Sequence, residues 1–170
     1  MIKNFEITFC EVGARGKVRD FSWLERHVDY VGFEPDQAAF NSKNTYLNQR
    51  NFRSINLFPD AVGTSDTIQS KRLFITEHPG CSSIFTPNFK VIDEFNGYKI
   101  NDETRQFNQS FKIKNSVSVR SRSLNEFLKS TPFECFDIIQ IDTQGGEIEI
   151  LESLNSIDRV MCIDIELEFL

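Results

Sequence analysis

The 170-residue sequence predicts an α/β fold with a parallel sheet of order 3-2-1-4-5. Three observations carry the prediction. Short apolar, β-branched runs alternate along the chain with segments of helical spacing. Asp137-Ile138-Ile139-Gln140-Ile141 has the composition of a central strand buried on both faces. Directly after it, Asp142-Thr143-Gln144-Gly145-Gly146-Glu147 turns polar and leads into the helical pattern Ile148, Leu151, Leu154. Ligands in open α/β sheets bind outside the carboxyl ends of the strands, so Asp142 and Gln144 fall at the rim of a pocket.

The first strand is expected over Phe5 to Val12, running into the turn Gly13-Ala14-Arg15-Gly16. Glycines there let the backbone approach a ligand, or simply make a tight turn. Helical spacing at Phe21, Leu24 and Val28 would put that turn at a helix N-terminus, whose free amides favour anionic or polar groups. Tyr30 to Phe33 reads as a second strand ending in Glu34-Pro35-Asp36. An acid about 20 residues after a glycine turn stands where nucleotide sites hold ribose hydroxyls, which selects Glu34. Asp36 is expected to cap the next helix, which carries Phe40 and Leu47.

Ser54 to Phe58 gives a third strand, closing at Pro59-Asp60. Asp60 either accepts from the exocyclic amine of a bound base or forms a turn. An extended excursion follows over Thr67 to Thr76, then the loop His78-Pro79-Gly80-Cys81-Ser82-Ser83. Residues 88–115 are polar, with Phe89, Phe95, Tyr98, Phe107 and Phe111 at no clean period. They read as an insertion, part helix and part loop. Val117 and Val119 alternate in a short strand, and Ser123-Leu124-Asn125-Glu126 is a capping box opening a helix. Val160 to Ile165 supplies the fifth strand. Its edge would be apolar and open, to be covered by a second copy unless the architecture is incomplete.

A net charge of −6 argues against a dedicated nucleic-acid or anionic-membrane surface, and Lys112, Lys114, Arg120 and Arg122 read as a solvated strand edge. No apolar run reaches the roughly 18 residues of a membrane span, and no signal peptide is visible, so a cytoplasmic protein without membrane insertion is expected. The four cysteines are widely spaced, and with only His27 and His78 no metal site is expected.

Four stretches, in order, carry a resemblance: Glu11 to Gly16, Gly32 to Asp36, His78 to Ser83 and Asp142 to Glu147. The first two are generic to class I methyltransferases, the last two far more specific. Together they resemble the FkbM family of S-adenosylmethionine-dependent methyltransferases. The resemblance implies one Rossmann-like class I methyltransferase domain over 1–170 and S-adenosyl-L-methionine as cofactor. It implies cofactor contacts at Glu11, Gly13, Glu34 and Asp142, to which Gly16 and Asp60 are added from their turns. Ser82, Ser83 and Gln144 are the acceptor-side candidates, and Asp142 and His78 the catalytic ones. Three departures from the family's pattern stand out. Glu11 replaces the usual Asp. Gly146 replaces a commoner Ala, at a helix cost of up to about 1 kcal/mol. The family continues past Glu168-Phe169 into a helix and an antiparallel strand pair, which this chain is expected to lack.

The implied chemistry is in-line methyl transfer from a sulfonium to a hydroxyl on a glycan, lipid or natural product, with Glu11 and Asp142 facing the cation. Two alternatives stand beside it. One is an NAD-dependent oxidoreductase, disfavoured by the missing Gly-x-Gly-x-x-Gly. The other is a catalytically defective binding or assembly module of the same fold.

Overall fold

The structure, a computed structural model, describes residues 5–95 and 107–166. Five parallel strands, β1 (Ile7–Val12), β2 (Val28–Phe33), β3 (Ser54–Phe58), β7 (Ile138–Ile141) and β8 (Cys162–Ile165), form one sheet in the order β3-β2-β1-β7-β8. This is the expected order, with β7 and β8 as its fourth and fifth members. Burial explains it: β2 is buried at every position and β1 at all but one, as a strand covered on both faces must be. Helix α1 (Gln37–Leu47) covers one face, where Phe9, Tyr30 and Leu47 are fully buried. Helices α3 (Leu124–Lys129) and α4 (Glu147–Glu152) cover the other, over Val31, Phe33, Ile139 and Ile141. Phe33 lies between Phe58, with ring centroids 5.5 Å apart, and Phe127 at 4.3 Å.

A second sheet was not foreseen. β4 (Ala61–Val62), β5 (Gln69–Thr76) and β6 (Ile113–Arg122) join in the order β4-β6-β5, with β5 antiparallel to β6. The extended excursion after Asp60 and the short Val117/Val119 strand are thus partners in one wall. Their exposed residues, Ser70 and Ser118 among them, dilute the apolar signal that reveals a strand.

Several expected boundaries shift. Between β1 and β2 there is no α-helix, only a 3-10 turn over Ser22–His27, and Val28 already belongs to β2. Gly13 to Gly16 therefore does not stand at a helix N-terminus. Asp36 does cap α1, accepting from the Ala39 amide at 2.8 Å. Only half of the capping box at Ser123 forms: its hydroxyl accepts from the Glu126 amide, while its own amide donates to the Ser65 carbonyl. Helix α4 buries Glu147 and Ile150; of the expected pattern, Leu151 and Leu154 pack on the core while Ile148 is 62% exposed.

Residues 88–115 contain α2 (Phe89–Phe95) and the start of β6. Residues 96–106, Tyr98 among them, and 167–170 lie outside the described residues. β8 forms a sheet edge, with Met161 and Ile163 exposed. Among the described residues, no helix is long and apolar enough to cross a membrane and no group of acids, cysteines and histidines has the makings of a metal site.

Candidate functional site

At the carboxyl ends of β1, β2 and β7 the backbone opens into a cavity of about 280 Å³, closed on its far side by the small sheet. Gly13, Glu34, Asp60, Asp142, Ser82, Ser83 and Gln144 all line it. Seven residues singled out in the sequence, from five separate stretches, thus meet on one hollow.

Gly13 is there for a backbone reason. Its φ is +80°, and a Cβ built on it would lie 1.8 Å from the Asp142 carbonyl oxygen. The close approach that glycine permits is therefore to the neighbouring strand end. The amides of Gly13 and Ala14 both donate to the Phe33 carbonyl, at 3.1 and 2.9 Å, which pins the tip of β1 to that of β2. Next to it, Glu34 is 3% exposed and accepts from the Asp36 amide at 2.8 Å, with the Arg15 guanidinium 3.9 Å from its other oxygen. Burial outweighs these contacts and holds its carboxyl above the usual range.

The β7 elbow is strained. Gln144, Gly145 and Gly146 follow one another at φ +58°, +103° and +85°, a conformation that a non-glycine residue rarely adopts. Two clamps hold it. The Ser83 hydroxyl donates to the Gln144 carbonyl at 2.8 Å, and buried Glu147 accepts from the Gly145 amide at 2.6 Å. Gly146 is the N-cap of α4, so its left-handed φ demands glycine and the expected helix-propensity cost does not arise. Asp142 caps nothing. Its carboxylate is exposed at the cavity and makes no hydrogen bond or ion pair among the described residues.

A family model described as the methyltransferase FkbM domain matches residues 11–170. The chain belongs to the FkbM methyltransferase family. No curated protein and no solved structure matches it.

In this FkbM methyltransferase three expected site residues stand away from the cavity. Glu11 points beneath the sheet's tip, where Lys43 of α1 reaches it at 2.9 Å and the Tyr30 hydroxyl donates to it at 2.5 Å. Alternation decides this, because Glu11 shares the face of Ile7 and Phe9, while the neighbouring Val12 lies on the opposite face with Cys10 and borders the cavity. Burial exceeds both contacts and raises its carboxyl, so the expected direct role toward a cation is not what this geometry shows. Gly16, at φ +81°, does not line the cavity, and its carbonyl accepts from Lys43 at 3.1 Å. His78 is exposed and opens the 3-10 turn Pro79–Cys81, with its ring against Gly80 and 3.8 Å from the Cys81 sulfur. Outside the cavity, it is not placed to act as a base.

Asp60 is 2% exposed, and Arg120 and Arg122 both reach it, at 2.8 and 3.9 Å. Both were expected on a solvated edge. Arg120 is exposed as expected, whereas Arg122 is largely buried over the Phe127 ring, 3.8 Å from its centroid. Sequence reasoning also missed Lys43, Arg15 and Phe85. Lys43 had a signal: with Phe40 and Leu47 it occupies one face of α1, a cation at core spacing that calls for a buried acid. Phe85 had none.

Proposed function

We propose that the protein binds S-adenosyl-L-methionine in the 280 Å³ cavity and transfers its methyl group to a hydroxyl oxygen of a glycan, lipid or natural product. One observation supports this most: the glycine turn after β1 and the acid after β2 border the same hollow as the exposed Asp142 after β7. In this reading Glu34, which already accepts from the Asp36 amide, accepts from the ribose hydroxyls as well. Gly13 gives the cofactor its close approach to the backbone. Asp142 faces the sulfonium and orients or deprotonates the acceptor, the donor being reactive enough that alignment is the larger task. Ser82, Gln144 and the neighbouring loop stand on the acceptor's side. Asp60 contributes through the wall it fixes with Arg120 and Arg122 more than through a free carboxylate.

Glu11 enters as support. Lys43 ties it to the Gly16 carbonyl, so one buried ammonium joins β1, α1 and the glycine turn. A second copy packed on the β8 edge, where Met161 is 66% exposed, belongs to the same reading.

Titration calorimetry with S-adenosylhomocysteine, and with NAD as competitor, tests the proposal. Heat with the first that NAD does not abolish, and a complex in which Glu34 meets the ribose, is the expected result. No heat from folded protein, or a complex with Glu34 remote from the ligand, refutes it.

A further inference from the structure

A second cavity, of about 740 Å³, adjoins the first across the β7 elbow. Ser83, Phe85, Gln144, Gly145, Gly146 and Glu149 border both. Phe85 forms the partition: its ring comes within 3.0 Å of where a Cβ on Gly146 would stand, and it is 48% exposed. Beyond it, the hollow is walled by Phe89, which is 44% exposed, Phe111, Pro87 and Ile148.

Both cavities have acidic walls, but they differ in their cations. The first sets Arg15 and Lys71 beside its acids, whereas the described walls of the second hold two carboxylates, Glu147 and Glu149, and no Lys, Arg or His. Glu147 is buried and engaged with the elbow amide. Glu149 is exposed at the junction and has no partner among the described residues. A phosphate or carboxylate entering there would lose hydration and face a carboxylate without a compensating cation, which is costly. A neutral molecule with one apolar face and several hydroxyls suits it. Its flat side lies against Phe85 and Phe89, and its hydroxyls donate to Glu149.

We infer that this second cavity is the acceptor site and that it takes an uncharged polyol with an apolar face, such as a glycosyl ring. The inference rests on the cofactor reading, because the shared border at the elbow is where a donor in the first cavity would meet an acceptor in the second. Ring contact comes from Phe85 and Phe89, and hydroxyl contact from Glu149.

The test uses phenyl β-D-glucopyranoside and its 6-phosphate as probes, followed by saturation-transfer NMR without cofactor. The neutral probe is expected to bind at least about tenfold more tightly than the phosphate. Phe89→Arg should abolish its binding, and Glu149→Lys should reverse the preference. Phe89 lines only the second cavity, so Phe89→Arg should leave S-adenosylhomocysteine affinity unchanged. Equal or tighter binding of the phosphate, no binding of either probe at millimolar concentration, or indifference to Phe89→Arg overturns the inference. Because the probe is read without cofactor, failure of cofactor binding overturns the preceding proposal and leaves this result standing.

Discussion

Replacing Gly13 by Ala tests the junction of β1 and β7 on which the site is built. The added Cβ would stand 1.8 Å from the Asp142 carbonyl oxygen, a distance no pair of unbonded atoms tolerates, so the strand tips must separate. The left-handed φ of +80° adds its own cost of about 1 to 2 kcal/mol for an L-residue. Overpacking a rigid junction adds about 1 to 3 kcal/mol, for a total near 2 to 5 kcal/mol. Gly16→Ala is the internal control. Its φ is nearly the same, +81°, but nothing lies within 4 Å of the added carbon, so only the first cost applies. At about 2 to 4 °C per kcal/mol for a chain of this size, Gly16→Ala should lower Tm by about 2 to 8 °C and Gly13→Ala by up to about 20 °C. Melting followed by circular dichroism measures both, and calorimetry with S-adenosylhomocysteine should show the larger loss of affinity in Gly13→Ala. Equal melting shifts for the two variants would refute the packing argument, since the carbonyl contact would then contribute nothing.

Lys43→Met leaves Glu11 buried without its cation and should cost about 3 to 5 kcal/mol at neutral pH. Glu11 is already raised by burial, and losing Lys43 raises it further, so the carboxyl protonates in the folded chain before it does in the unfolded one. The deficit should therefore shrink as pH falls toward the ordinary carboxylate range and grow as pH rises; a pH-independent deficit would contradict this. Glu34→Gln removes a carboxylate whose raised pKa means that ionisation opposes folding. Its melting temperature should match or exceed the parent's above the ordinary range and lose that advantage in acid, while S-adenosylhomocysteine binding weakens about 10- to 150-fold through one lost charged hydrogen bond. Asp142→Asn should keep affinity for S-adenosylhomocysteine, which has no sulfonium charge, within a few fold and reduce methyl transfer about 100- to 10,000-fold through loss of the group that takes the acceptor's proton. Steady-state rates with a found acceptor decide that last point.

The parallel sheet was legible because its signal is local. Each of β1, β2, β3, β7 and β8 is a short apolar run ending in a turn or an acid, and a strand buried on both faces cannot disguise its composition. The second sheet was hidden for the opposite reason. β5 and β6 face solvent along much of their length, so Lys71, Arg72, Ser116 and Ser118 break the apolar pattern, and only their pairing across some 45 residues makes them a wall. The missing helix before β2 shows how spacing misleads: Phe21, Leu24 and Val28 fit a helical face, but Val28 is needed in β2 opposite Ile7. Expectation and cavity coincide where type and position agree, as at Glu34 and Asp142, which border it. They part where a one-residue change of side decides the matter, as at Glu11.

That alternation also explains why the three acids at the strand ends play different parts. Glu11 lies one residue before the end of its strand, so it faces the α1 side and requires a buried cation, which Lys43 provides. Glu34 lies one residue beyond its strand, where the following Pro35-Asp36 turn offers an amide and Arg15 sits at the rim, leaving a buried carboxylate that still borders the cavity. Asp142 also lies one residue beyond its strand, but it meets a left-handed elbow whose hydrogen bonds are already taken by Ser83, Thr143 and Glu147. With no donor left for it in the described chain, its charge is turned to the cavity. The elbow's strain and the exposure of Asp142 are thus one feature, and relaxing the elbow, by Ser83→Ala for instance, should move Asp142 and Gln144 together.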